Sequence, residues 1–132
     1  TDGSGKDKLF KSEKNKIIMK GADVFSFTIK EVPDAVLHLL KKAKLNIKDI
    51  DRFYFHQASD VVLNSIRKKL NLPKNKFFHD FSEIGNTVSS TIPISLIESN
   101  KKHLIKHNKP IMLLGFGVGY SLSGGIFCFD KK

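Results

Sequence analysis

Only one cysteine, Cys128, and no tryptophan occur in this chain of 132 residues. A single thiol cannot close an internal disulfide, so a small fold stapled by bridges is excluded. No Cys/His pair stands at zinc-finger spacing. His38, His56, His79, His103 and His107 are scattered, and although His103 and His107 would share a helix face, nothing beside them supplies a third ligand; no metal is expected. Long apolar runs are also missing. Nothing reaches the roughly 20 apolar residues that span a bilayer, and the N-terminus has no hydrophobic signal core. These absences fit a soluble protein of the reducing cytoplasm, with no membrane partner.

Acidic residues are scarce as well, 13 against 23 lysines and arginines, for a net charge of +10. The lysines are spread over Lys6 to Lys20, Lys41-Lys42-Lys44, Lys68-Lys69, Lys101-Lys102 and Lys131-Lys132 rather than interleaved with aromatics on one motif. Solvated helix faces are the plain reading, steering of an acidic partner the next, and nucleic acid is unlike this pattern.

The length suffices for one domain with its own core. Residues 1–15 are Gly/Ser/Lys-rich and read as a flexible lead-in or exposed loop, and 16–132 as the domain proper. The chain opens Thr1-Asp2-Gly3-Ser4-Gly5 without an initiator Met, as a cut or processed end would. Lys16-Ile17-Ile18-Met19-Lys20 reads as a short strand. From Asp23, a plausible N-cap, Val24, Phe27, Val32, Val36, Leu39, Leu40 and Ala43 follow a helical period, with Pro33 expected to kink or restart the helix.

Phe53-Tyr54-Phe55-His56 reads as a buried strand that exits into a helix with apolar Val61, Val62, Ile66 and Leu70. Phe77-Phe78 begins another short strand. After Gly85-Asn86 a helix is expected with Val88, Ile92, Ile94, Leu96 and Ile97 inward. The all-apolar Ile111 to Phe116 suits a central strand, a glycine-rich turn follows, and Gly125 to Phe129 returns as the last strand. Alternating strands and helices predict an α/β fold: a mixed five-stranded sheet, its last strand antiparallel, with helices on both faces.

Three polar signals stand out in this frame: Phe55-His56-Gln57-Ala58-Ser59 at a strand exit, Gly85-Asn86-Thr87-Val88-Ser89-Ser90 thirty residues on from His56, and Gly115-Phe116-Gly117-Val118-Gly119-Tyr120-Ser121 near the end. Strand ends and the loops behind them are where α/β folds place chemistry. A lone His at a strand end is more often structural, and Asn86 could equally cap a helix. The glycine-rich segment does not precede a helix, so it fails as a dinucleotide or P-loop motif.

Taken together and in this order, His-Gln-Ala, Gly-Asn-Thr and Gly-Phe-Gly-Val-Gly-Tyr-Ser resemble the C-terminal half of 3-oxoacyl-[acyl carrier protein] synthase III, over almost the whole chain. The resemblance implies one half of a thiolase-like fold and an acyltransferase that performs a decarboxylating Claisen condensation of an acyl thioester with malonyl-acyl carrier protein. It implies His56 and Asn86 as catalytic residues, the backbone N–H of Val118 in an oxyanion hole, and Gln57, Ser59, Gly117 and Gly119 near the pantetheine arm of the substrate. It implies no cofactor beyond acyl-coenzyme A and malonyl-acyl carrier protein as substrates. The implied partners are acyl carrier protein, an N-terminal half carrying the nucleophilic cysteine, and a second copy in a homodimer. Cys128, set between Phe127 and Phe129, reads as a buried structural thiol, so this chain alone lacks the nucleophile and is expected to be inactive in condensation. The alternative is a non-catalytic binding module or a basic nucleic-acid-binding domain.

Overall fold

The computed structural model describes residues 3–117 and 119–130. A hairpin of β1 (Leu9–Lys11) and β2 (Ile17–Met19) leads into α1 (Gly21–Ala43), β3 (Arg52–Phe55), α2 (Asp60–Lys69), the single-turn α3 (Phe81–Ile84), α4 (Thr91–Lys101), β4 (Ile111–Gly117) and β5 (Ser121–Phe127). The fold is α/β, with strands and helices alternating through most of the chain.

The sheet is built on β3-β4-β5. β3 runs parallel to β4, pairing Phe53 with Met112 and Phe55 with Leu114, and β5 returns antiparallel, as expected of the last strand. Of the five segments expected in one sheet, four meet there, because Phe77 adds a single parallel bridge to Phe53. Ile17–Met19 instead pairs antiparallel with Leu9–Lys11. The reason is local: Ser12 N–H bonds Lys16 O at 2.8 Å and Asn15 takes φ 57°, so the chain folds back on itself before it can reach the sheet. Part of the expected lead-in is therefore strand, and Gly5 lies against the Tyr120 ring with no room for a Cβ.

Helix α1 begins at Gly21, so Asp23 falls within the first turn and pairs with Lys8 at 2.8 Å instead of capping. Pro33 sits inside the unbroken helix. It has no N–H for the Ile29 carbonyl four residues back, and that carbonyl accepts from Lys69 Nζ at 2.8 Å, which ties α2 to α1. Val32, Val36 and Leu40, spaced by four, are buried against the sheet.

Side chains alternate across the sheet with period two. Phe53, Phe55, Met112 and Leu114 face α1 and α2 in the main core, with Leu63, Ile66 and Leu72; Tyr54, Ile111 and Leu113 face α4. Helices thus cover both faces. Helix α4 departs from expectation: it starts five residues after Asn86, and Val88 (72% exposed) and Ile97 (55%) point outward. Its buried residues are Thr91, Ser95 and Ser99, because the sheet offers this helix hydroxyl and imidazole partners: Tyr54 Oη lies 2.7 Å from Ser99 Oγ. Val61, also expected in the core, is exposed on α2.

The glycine-rich segment is less a turn than two strand ends, with its tip confined to residues 118–120. Gly124 lies within β5 because a Cβ there would come within 2.5 Å of the Leu113 carbonyl. Cys128 lies one residue beyond β5 and is exposed, which corrects the expectation of a buried thiol; the strand pairing ends at Phe127, where the partner strand begins at Ile111.

Candidate active site

His56 follows β3 directly, and its backbone N–H extends the parallel ladder to Leu114 O at 2.9 Å. The backbone under the imidazole is thereby held by the central strand. Nδ1 of the ring lies 2.7 Å from Thr91 Oγ1, and the ring stands edge to face with Phe116 at 5.3 Å. Burial holds the imidazole below its ordinary pKa of 6.5, and a hydrogen bond with the Val88 backbone opposes that effect without cancelling it. At neutral pH the ring is therefore uncharged.

The two residues after His56 turn the chain. Gln57 is buried, with Nε2 donating to Phe55 O at 2.8 Å and Oε1 accepting from Asp80 N–H at 3.3 Å. It ties the strand exit to the entrance of α3 and does not line the cavity beside His56, a correction to its expected place near the substrate. Ser59 is the N-cap of α2, where its Oγ accepts from Val62 N–H at 3.3 Å.

Asn86 reaches the same place from the other side. Gly85 at φ 70° breaks the chain out of α3, and the Asn86 side chain then spans the gap: Nδ2 donates to Ala58 O at 3.3 Å, and Oδ1 accepts from Val88 N–H at 2.8 Å. The second bond is an Asx turn, so Asn86 shapes the approach to α4 rather than capping it. It also draws Val88 into a left-handed conformation, φ 55°, which a β-branched residue adopts at a cost on the order of 1 kcal/mol. An amide nitrogen carries two hydrogens, and the bond to Ala58 uses one.

His56, Ser59, Asn86, Phe116 and Gly117 line one cavity of about 330 Å³, walled on the far side by Val24, Phe27 and Val62, with Met19, Phe25 and Val61 at its exposed rim. It opens at the C-terminal ends of β3 and β4, where open α/β sheets bind ligands. A mostly apolar cavity with a few polar groups at its floor suits a substrate with a long apolar arm and one polar reacting centre. Gly119, at φ 133°, lies past the rim and does not line it. Val118 lies outside the described residues. Among the described residues no group of His, Cys, Asp or Glu could hold a metal ion, and no helix is long and apolar enough to cross a membrane.

Sequence reasoning missed Thr91, whose hydroxyl meets His56, and the aromatic wall of Phe25, Phe27 and Phe116. The spacing Thr91, Ser95, Ser99 was the available signal: small hydroxyl residues every fourth position mark a helix face bonded to polar partners.

Residues 40–129 match the family model described as 3-Oxoacyl-[acyl-carrier-protein (ACP)] synthase III C terminal. The chain is 37% identical over 131 residues to a beta-ketoacyl-[acyl-carrier-protein] synthase III of Listeria welshimeri, covering 99% of this chain and 42% of that protein. It is 38% identical over 145 residues to the enzyme of the same name from Clostridium acetobutylicum, covering 99% and 45%. Two solved structures superpose closely. The 3-oxoacyl-[acyl-carrier-protein] synthase III of Aquifex aeolicus VF5 gives a TM-score of 0.93 at 27% identity, over 97% of this chain and 42% of that one. The 3-oxoacyl-(acyl carrier protein) synthase III of Pseudomonas aeruginosa PAO1 gives 0.92 at 26%, over 99% and 42%. The chain thus spans less than half the length of these relatives.

Proposed function

The chain belongs to the 3-oxoacyl-[acyl-carrier-protein] synthase III family, of which it forms the C-terminal domain with a thiolase-like fold, and on that premise we propose that it supplies two side chains for a decarboxylating Claisen condensation. The observation that carries this reading is the convergence of His56 and Asn86, thirty residues apart, on the floor of one apolar cavity.

In the reaction, an acyl group first passes to a cysteine on the N-terminal half. Malonyl thioester then loses carbon dioxide, and the electron pair of the broken C–C bond moves onto the thioester as an enolate. His56, through Nε2–H, and Asn86, through its amide, donate to that enolate oxygen. Neither is consumed, and both are held in place beforehand, which is what makes such donors effective in a water-poor site. The enolate carbon attacks the acyl-cysteine carbonyl, the backbone N–H of Val118 receives the oxyanion, and the cysteine leaves as thiolate. The neutral state of His56 and the second hydrogen of the Asn86 amide fit donor roles.

The same reading assigns the partners. The outward apolar residues of α4, Val88 and Ile97, form the face on which the N-terminal half packs, and the full enzyme is a cytoplasmic homodimer. Acyl carrier protein delivers malonyl groups to the cavity mouth, and acyl-coenzyme A supplies the starter. The net charge of +10 speeds encounter with an acidic carrier. Ser59 and Gly117 border the pantetheine arm.

The test is His56→Ala in the complete enzyme. Malonyl decarboxylation should fall by about 100-fold or more, while radiolabelled acyl transfer to the cysteine persists. Undiminished decarboxylation would show that His56 has no part in that step.

A further inference from the structure

The Thr91 hydroxyl has one proton and two acceptors within reach: His56 Nδ1 at 2.7 Å and its own Val88 carbonyl, three residues back, at 3.1 Å. Which of them takes the proton decides what His56 shows to the cavity. If Val88 O takes it, the Thr91 oxygen can only accept, Nδ1 carries the ring proton, and Nε2 meets the cavity as a bare lone pair. If Nδ1 takes it, the ring proton resides on Nε2 and the neutral imidazole becomes a donor toward the cavity. The imidazole nitrogen is far more basic than an amide carbonyl, and it is also the nearer acceptor. Thr91 is 3% exposed, so no competition from bulk water alters the choice. Its place as the first residue of α4, with its own carbonyl accepting from Ser95 Oγ at 2.7 Å, holds the hydroxyl at that spot.

We infer that Thr91 is a positioning residue that donates to His56 Nδ1 and so selects the tautomer with Nε2–H facing the cavity. The inference deepens the reading of His56 as a donor and rests on it for its functional meaning, although the tautomer itself can be measured without catalysis. Thr91 touches no substrate; it acts through the ring it orients. Val88 O is the competing acceptor, and the left-handed turn at Val88 keeps it within range of the same hydroxyl.

Histidine ring-nitrogen NMR on the protein as its host makes it, labelled with 15N-histidine, tests this. The His56 signals are assigned by their loss in a His56→Gln variant. The expected result above pH 7 is a protonated Nε2 and an unprotonated Nδ1. In Thr91→Val, close in shape but without the hydroxyl, the populations should move toward Nδ1–H, and Thr91→Ser should restore the original pattern. A wild-type protein with Nδ1–H predominant would overturn the inference, and so would a Thr91→Val protein with unchanged ring shifts. Should Nε2–H predominate while His56→Ala leaves decarboxylation intact, the functional reading fails and the assignment to Thr91 stands.

Discussion

The two faces of the sheet are packed by different chemistry. On one, Phe53, Phe55, Met112 and Leu114 meet α1 and α2 through aliphatic and aromatic contacts in a thick apolar core. On the other, α4 turns Thr91, Ser95 and Ser99 inward, where hydroxyl bonds to Tyr54 and His56 hold it, while Val88 and Ile97 face out. The first face provides bulk stability, since burial of large side chains is the dominant favourable contribution to folding. The second provides orientation, because hydrogen bonds from a helix to a strand exit fix where a ring points to within a few tenths of an ångström. A helix that is polar inside and apolar outside is what a middle layer between two sheets requires.

Substitutions can break that comparison. Phe53→Ala empties a fully buried site in the thick core and should destabilise the fold by about 3–5 kcal/mol, measured as a shift of the urea midpoint. A loss under about 1 kcal/mol would mean that this face does not carry the stability. Tyr54→Phe, on the opposite face of the same strand, removes only the bond to Ser99. About 1–2 kcal/mol is expected, since Ser99 Oγ stays buried after losing its partner. Ile97→Ser should be the mildest, within about 0.5 kcal/mol for this chain alone. A larger loss when the N-terminal half is present would show the outward face covered there, and a loss in the chain alone equal to that of Tyr54→Phe would show that the face is not free.

Much of the architecture was legible along the chain. The aromatic run at Phe53, the apolar run at Ile111 and the four-residue spacing in α1 report burial on one face, and burial is a local pattern when the partner is apolar. Helix α4 was misread for the same reason: its apolar residues were assigned to the inside, because a periodicity shows that two faces differ without saying which one meets the sheet. Ile17–Met19 was placed in the sheet because a short strand carries no sign of its pairing partner. Cys128 was placed inside because its neighbours are phenylalanines, although nothing among the described residues packs over the chain past Phe127.

The site divides the same way. Residue types at strand and loop ends, His56 and Asn86 above all, were readable because chemistry restricts which side chains can donate to an oxyanion. The cavity that both of them line, the diversion of Gln57 to a structural tie, and the hydroxyl of Thr91 behind the imidazole were not. Sequence alone determined the α/β class, the antiparallel last strand and the candidate donors, since these follow from local hydrophobic patterning and side-chain chemistry. Only the tertiary structure decided which face of α4 is buried, where β2 pairs and which groups share one cavity, because each depends on distances between residues that the chain order keeps thirty or more positions apart.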